Sequence, residues 1–212
     1  SHVTLADVEA IAVSTRPRAV EGSYMPCFMV GYSHAKMLSD GLHVPLIEVS
    51  HQQGHVAACL WSAGRLDLMD KPHLAWHLSG GTTELLLVQP EGKNVKCTRI
   101  GGTTDISAGQ LIDRTGVMLS LPFPAGRHLD ALAGECGDLF KVKCPGTEFS
   151  LSGVQNKVQQ YFASHNDTAE TAAYALRCVV YAVHKATVNA LKAYPGLPVV
   201  FSGGVASNSF YE

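Results

Sequence analysis

The stretch Leu78-Ser79-Gly80-Gly81-Thr82-Thr83-Glu84 sets two glycines and three hydroxyls between two runs of strand formers, His73 to Leu78 and Leu85 to Val88. That order predicts an antiparallel hairpin of largely buried strands. Paired glycines at its turn let backbone N–H groups approach an anion, and the hydroxyls of Ser79, Thr82 and Thr83 add donors without charge. The turn therefore reads as a phosphate cradle, with a loop that only reverses the chain as the competing reading.

A second turn matches it. Val199-Val200-Phe201 runs into Ser202-Gly203-Gly204-Val205-Ala206-Ser207-Asn208, an apolar strand followed by a double glycine and small residues. This order predicts a strand-to-helix turn, in which the N–H groups of the next helix favour negative charge by about 0.3–1 kcal/mol. Asn208 is placed either to bind a ribose or base edge or to cap the last helix. Two such turns in one α/β chain predict two walls of one nucleotide cleft.

With 46% apolar and 16% charged positions among 212 residues, the chain has enough apolar material for one large domain or two small ones. The polar stretch from Asp67 to Pro72 is the expected boundary, giving a first lobe over 1–70 and a second over 71–212. No apolar run reaches the roughly 18–20 residues that span a bilayer, and the first residues carry no basic-then-apolar leader, so a cytoplasmic location is expected. Six cysteines without a C-x-x-C pair predict reduced thiols and no zinc knuckle. A formal charge of −2 gives no broad basic surface, so unaided tight binding of nucleic acid is not predicted, and Lys93, Lys96 and Arg99 remain as a local patch.

In chain order, Ala10 to Ser14 reads as a strand ended by Arg16-Pro17-Arg18, Met29 to Leu38 as a helix stopped by Gly41, and Pro45 to Val49 as a second strand. This alternation predicts a mainly parallel sheet covered by helices. Next, Ser50-His51-Gln52-Gln53-Gly54-His55 puts two histidines four apart. On a helix they face the same way about 5–6 Å apart and suit one shared metal ion; otherwise they are polar residues near a helix start. Zinc proteases use H-E-x-x-H, with the glutamate as general base, and here Gln52 holds that place and takes no proton. His77, just before the phosphate hairpin, is the candidate third ligand, or else a strand residue lining a wall. Further on, Asn94 to Ile100 reads as a strand and Ser107 to Arg114 as a helix start. Asp105 and Asp113 there offer carboxylates for ribose hydroxyls or Mg²⁺, or are only solvated. A break over Pro122 to Gly126 precedes a short helix at Leu129 to Ala133; a helix capped within Phe149 to Gly153 and a long Ala-rich helix over Thr168 to Ala193 follow.

Together the Ala10-Ile11-Ala12-Val13 strand, His51-x-x-Gly54-His55, Leu78 to Val88, Asp105 to Asp113, and Gly203-Gly204-Val205-Ala206-Ser207-Asn208 resemble the tRNA N6-threonylcarbamoyladenosine transferase family, called O-sialoglycoprotein endopeptidase or glycoprotease in older usage. The resemblance runs in register over nearly the whole chain. It implies an α/β, two-lobed fold of the actin, hexokinase and Hsp70 kind, incomplete at both ends here. It makes His51 and His55 ligands of one iron or zinc. It makes Leu78, Ser79, Gly80, Gly81 and Thr82 contacts for phosphates or the acyl group, and puts Asp113, Gly126 and Asn208 at the adenosine end, beside the turn at Gly203 and Gly204. A tyrosine near the start of the hairpin touches the metal in some members, and His77 stands at about that place. The implied ligands are ATP, ADP or threonylcarbamoyl-adenylate, with Mg²⁺ as a further candidate. The implied reaction passes threonylcarbamoyl to N6 of the tRNA adenosine beside the anticodon. Helper proteins, and a homodimer or a heterodimer with a related fold, are the expected partners, with no membrane. No side chain is singled out as catalytic.

The chain departs from the family pattern. An N-terminal strand with its phosphate loop, and a C-terminal aspartate that supplies another metal ligand, lie outside this sequence. Arg16-Pro17-Arg18 replaces Gly-Pro-Gly, Thr82 replaces histidine or asparagine, and Gln53, Ile106 and Gln110 replace acidic residues. Lost carboxylates weaken Mg²⁺ and ribose contacts. Two readings therefore stand beside the transferase: a non-catalytic nucleotide-binding relative acting as a protein partner, and a metalloprotease.

Overall fold

A computed structural model of the chain describes residues 4–207, which divide into two compact units, 4–71 with 89–97, and 72–88 with 98–207. In the first unit the strand, helix, strand order becomes β1 (Ile11–Arg16), α1 (Pro26–Leu42) and β2 (Leu46–Ser50), followed by α2 (His51–Ser62). β1 and β2 pair in parallel, with Ile11 opposite Leu46. α1 opens with Pro26 in its first turn, where a missing N–H costs nothing. It passes through Gly41, the expected stop, because the left-handed cap is taken by His43 at φ 55°, whose N–H bonds to Ser39 O. Burial is thin: α1 buries only Ala35 and Ser39, while its Met29, Val30, Met37 and Leu38 are exposed.

The second unit is a mixed five-stranded sheet with helices packed on it. Its strands are β3 (His73–Leu78), β4 (Thr83–Glu91), β5 (Asn94–Thr103), β6 (Glu148–Phe149) and β7 (Val199–Ser202), in the order β6-β5-β4-β3-β7. The expected hairpin forms: β3 and β4 are antiparallel with Leu78 opposite Thr83, and β7 adds in parallel on the other side of β3. The helices are α3 (Ala108–Met118), α4 (Gly126–Leu132), α5 (Ser152–His165) and α6 (Thr168–Ala193). α6 starts where Asp167 accepts the Glu170 N–H, and its Ala172, Ala175, Leu176, Val179, Ala182, Val183, Ala186 and Ala190 form one buried stripe at helical spacing. Trp76 is fully buried and donates its indole N–H to Thr187 Oγ1 of α6 at 2.8 Å.

Two boundaries differ from expectation. α4 begins at Gly126, inside the expected break, because Asp113 Oδ1 accepts the Ala125 N–H at 2.9 Å and fixes the residue before the helix. Phe149 belongs to a two-residue strand, β6, and α5 starts only at Ser152. Between α4 and α5 a segment without regular structure is tied to α6. Gly134 N donates to Ala169 O, Arg177 to Cys136 O, and Asn189 Nδ2 to Cys144 O at 3.1 Å and Gly146 O at 2.7 Å. All six cysteines are free thiols, and burial pushes Cys97 and Cys178 up to about 11.

Candidate functional site

Each unit carries one candidate site. In the first, α2 follows β2 without a loop because Ser50 ends the strand and caps the helix. Its hydroxyl accepts the Gln53 N–H at 3.2 Å while Gln53 Oε1 accepts the Ser50 N–H at 2.8 Å, a reciprocal capping box. Gln53 is buried and also donates Nε2–H to Val95 O at 2.7 Å, a bond that a carboxylate could not make. This cap sets His51 as the first helical residue and brings His55 onto the same face, with their Nε2 atoms 3.0 Å apart. The rings meet edge to face at 4.4 Å, and Phe28 lies 5.6 Å from the His51 ring. Partial burial, and then the charge of His51, pull the His55 pKa below its ordinary value, which favours the neutral, metal-binding form. Two imidazole nitrogens on one ion, with bonds of about 2.0–2.1 Å, stand roughly 3 Å apart, so the pair fits as two ligands of a metal. Among the described residues no group of three or more His, Cys, Asp or Glu side chains gathers as a metal cluster. His77 sits on β3 opposite Glu84, in the second unit, with Nδ1 3.3 Å from Ser202 Oγ.

In the second unit the hairpin turn closes through Ser79 N to Thr82 O at 2.8 Å and Thr82 N to Ser79 Oγ at 3.1 Å. The N-terminus of α3 presses against it: Ser107 Oγ donates to Gly80 O at 2.5 Å, and Thr83 Oγ1 accepts from Ala108 N at 2.8 Å. Gly109 is required there, since a Cβ on it would lie 2.5 Å from Gly80 Cα. Beside this contact opens a cavity of about 260 Å³, lined by Gly80, Gly109, Ile112 and Asp113, by Pro124, Gly126, Arg127 and Asp130, and by Gly204, Val205 and Ser207. Four residues singled out from sequence, Gly80, Asp113, Gly126 and Gly204, meet in it.

The two expected glycine pairs do not behave uniformly. A Cβ on Gly80, Gly81, Gly126 or Gly204 would meet nothing of the protein within 4 Å, so the fold leaves these places open. Gly203 has φ +97°, and a Cβ there would lie 2.1 Å from Leu78 O. It turns the chain against β3 and does not line the cavity. Leu78, Ser79, Gly81 and Thr82 are also absent from the lining, and the Leu78 side chain is fully buried in the core. Thr83 is likewise buried and its hydroxyl is engaged by α3, so it adds no donor to the turn. Asn208 lies outside the described residues.

Asp105 does not reach the cavity. It accepts hydrogen bonds from Ser150 Oγ, Leu151 N, and Ser152 N and Oγ, between 2.5 and 3.3 Å. Partial burial works against its charge, but these bonds win and hold its carboxyl well below the usual range. Gln110, like Gln53, completes a capping box, here with Ser107. Arg99 of the expected basic patch is committed to Glu148 at 2.7 Å and Glu84 at 3.8 Å. Sequence reasoning missed Arg127 and Asp130, whose signal is Gly126 and Asp130 at i, i+4, legible once the helix is started at Gly126.

Solved structures share the fold. A crystal structure of full-length HypF in the phosphate- and nucleotide-bound form matches 95% of this chain and 40% of its own, with a TM-score of 0.68 at 14% identity. HypF of T. kodakarensis matches 97% and 36%, with a TM-score of 0.66 at 13% identity. The fold is of the actin- and hexokinase-like kind that the sequence resemblance implied. Residues 1–212 match the family described as TsaD, tRNA N6-adenosine threonylcarbamoyltransferase, and the chain belongs to that family. Proteins of this name from Lactiplantibacillus plantarum and Streptococcus suis are each 33% identical to it over 98% of this chain, and one from Desulfotalea psychrophila is 32% identical over the same share. The chain spans 60–62% of the length of these curated relatives. No helix among the described residues is long and apolar enough to cross a membrane.

Proposed function

We propose that this chain carries the donor-binding part of a cytoplasmic tRNA N6-threonylcarbamoyl transferase. One observation carries the reading: Gly80 and Gly204 of two turns, Asp113 of α3 and Gly126 of α4 line one cavity. Gly80 and Gly204 leave room for phosphate oxygens to approach the backbone. Asp113 spends Oδ1 on Ala125 N, and its other oxygen accepts from a ribose hydroxyl. Gly126 leaves space for the adenosine. The ligand is threonylcarbamoyl-adenylate, with ATP or ADP as simpler occupants and Mg²⁺ as the companion of the phosphates. In the reaction, N6 of the tRNA adenosine bonds to the carbamoyl carbon, the bond from that carbon to the phosphate oxygen breaks, AMP leaves with the electron pair, and the amine gives up a proton.

His51 and His55 would hold the iron or zinc, whose chemistry when bound is to orient and polarise the acyl donor. The fit rests on their 3.0 Å nitrogen separation and on the lowered pKa of His55. Two imidazoles do not fill a metal shell, and the remaining positions are left to further ligands or to oxygen atoms of the donor. Helper proteins, and a dimer with a second copy or a related fold, complete the expected assembly.

The test is transfer of labelled threonine from the adenylate into tRNA by the purified protein together with its helper proteins, with metal content read by emission spectrometry. The His51→Ala, His55→Ala variant should lose metal and transfer while keeping the parent's circular dichroism. Stoichiometric metal in that variant would sink the ligand assignment, and no transfer by the metal-loaded parent in the presence of its helper proteins would sink the activity.

A further inference from the structure

The charges of this chain are unevenly placed. Its 18 acidic and 16 basic residues nearly cancel, yet between Leu139 and Ser207, the stretch that holds every lysine of the band, only Glu148, Asp167 and Glu170 are acidic. All three are engaged: Glu148 pairs with Arg99 at 2.7 Å, Asp167 caps α6, and Glu170 stands 3.4 Å from the Tyr161 hydroxyl. Lys141, Lys143, Lys157, Lys185 and Lys192 are exposed, whereas the ion pairs of the described residues lie elsewhere, on Asp40, Asp67, Glu84 and Glu148.

The irregular segment between α4 and α5 joins these lysines into one band. Lys157 of α5 stands 5.9 Å over the Phe140 ring. Val142 and Cys144 are buried, so the alternating Lys141 and Lys143 point outward. Asn189 of α6 holds Cys144 O and Gly146 O, and it accepts from Lys192 Nζ at 3.2 Å. Lys185 lies one turn before Asn189 on the same helix face. From Phe140 to Gly146 an extended backbone covers at most roughly 20–25 Å.

We infer that this band grips the phosphate backbone of an RNA, and, resting on the transferase reading, that the RNA is the tRNA substrate. Protein interfaces are depleted in lysine and enriched in arginine and aromatic anchors. Here all five cations are lysines, point charges suited to phosphate and to sequence-independent holding. Such contacts position a duplex without reading its bases, which suits an enzyme whose chemistry is confined to one nucleotide.

Labelled tRNA is titrated with the protein by fluorescence anisotropy at salt concentrations from about 50 to 200 mM. The parent is set beside K141Q/K143Q/K157Q/K185Q, the pair K141Q/K143Q, and K36Q as a control away from the band. The fourfold variant should bind at least about tenfold more weakly, with a salt slope reduced by roughly 0.7–0.9 for each lost phosphate contact, and the pair should fall between it and the parent. K36Q should match the parent. Affinity for ADP, measured on the same samples, should not change. Unchanged RNA affinity and slope in both band variants would overturn the inference and leave an acidic protein partner as the occupant. Failure of the transferase reading would show separately, as a parent that binds neither ADP nor the adenylate while the RNA slope still falls in the variants.

Discussion

α6 buries twelve of its side chains against the second unit's sheet and neighbouring helices, whereas α1, a helix of 17 residues in the first unit, buries only two. Around α6 lie Trp76, Leu78, Leu85, Leu111 and Leu151, all fully buried, and each large side chain so buried contributes about 1.5–3 kcal/mol. The apolar core of the first unit amounts to Ala35, Val56, Leu60, Leu68 and Val95. Its order comes from parallel strand pairing and from the Ser50–Gln53 box, which binds α2 to Val95. The contrast bears on how chemistry is held. The cavity glycines stand on a deep core that fixes their positions, while the histidine pair owes its geometry to one helix start.

Core deletion in the second unit should produce the largest effect. Trp76→Ala should cost about 3–5 kcal/mol in denaturant unfolding, because it empties a fully buried site and removes the hydrogen bond that Thr187 accepts. A loss below about 1 kcal/mol would show that the second unit is not the rigid partner in the comparison. Next, Gly203→Ala should cost about 3 kcal/mol, from a strained φ and a clash with Leu78 O, while the neighbouring Gly204→Ala should stay within about 0.5 kcal/mol. Equal costs at the two positions would remove the distinction between the packed and the open glycine.

Asp105→Asn should cost about 1 kcal/mol through weakened anchoring of the α5 start. Its pH dependence has a definite sign: the folded-state pKa lies below the unfolded value of about 3.9, so the parent's advantage is complete above that value, declines below it, and is lost as pH falls through the folded-state pKa. Melting curves of parent and variant should therefore converge in acid; a gap that widens there contradicts the assignment. Smallest of all, Val30→Ala on α1 should change stability by no more than about 0.5 kcal/mol, since Val30 is 62% exposed. A cost typical of a core position would mean that this face is covered in the intact protein.

Much of this was legible in the sequence, and the misses share a cause. Thr168 to Ala193 gave its helix to the residue because a capping aspartate precedes an uninterrupted run of good helix formers. The hairpin followed from two strand runs around paired glycines. The difference between Gly203 and Gly204 was not legible, because it is set by Leu78 O, a neighbour only in space. β6 is two residues long and carries no periodicity. Gln53 and Gln110 drew notice as lost carboxylates, yet Ser50-x-x-Gln53 and Ser107-x-x-Gln110 are readable capping boxes, and that is the work they do. Lys93, Lys96 and Arg99 were visible because they are close in sequence, but Arg99 is paired with acids, whereas the lysine band is assembled from two helices and the segment between α4 and α5.

The central claim is that the cavity beside the hairpin takes the adenine nucleotide. Calorimetric titration of ADP into the parent, Gly80→Val and Gly204→Val tests it most directly, because a side chain at either position meets no protein atom near its Cβ and so intrudes on the ligand's space and not on the core. The account predicts that the parent binds, and that both variants melt close to the parent but lose measurable ADP binding. Parent-like affinity in both well-folded variants would contradict it.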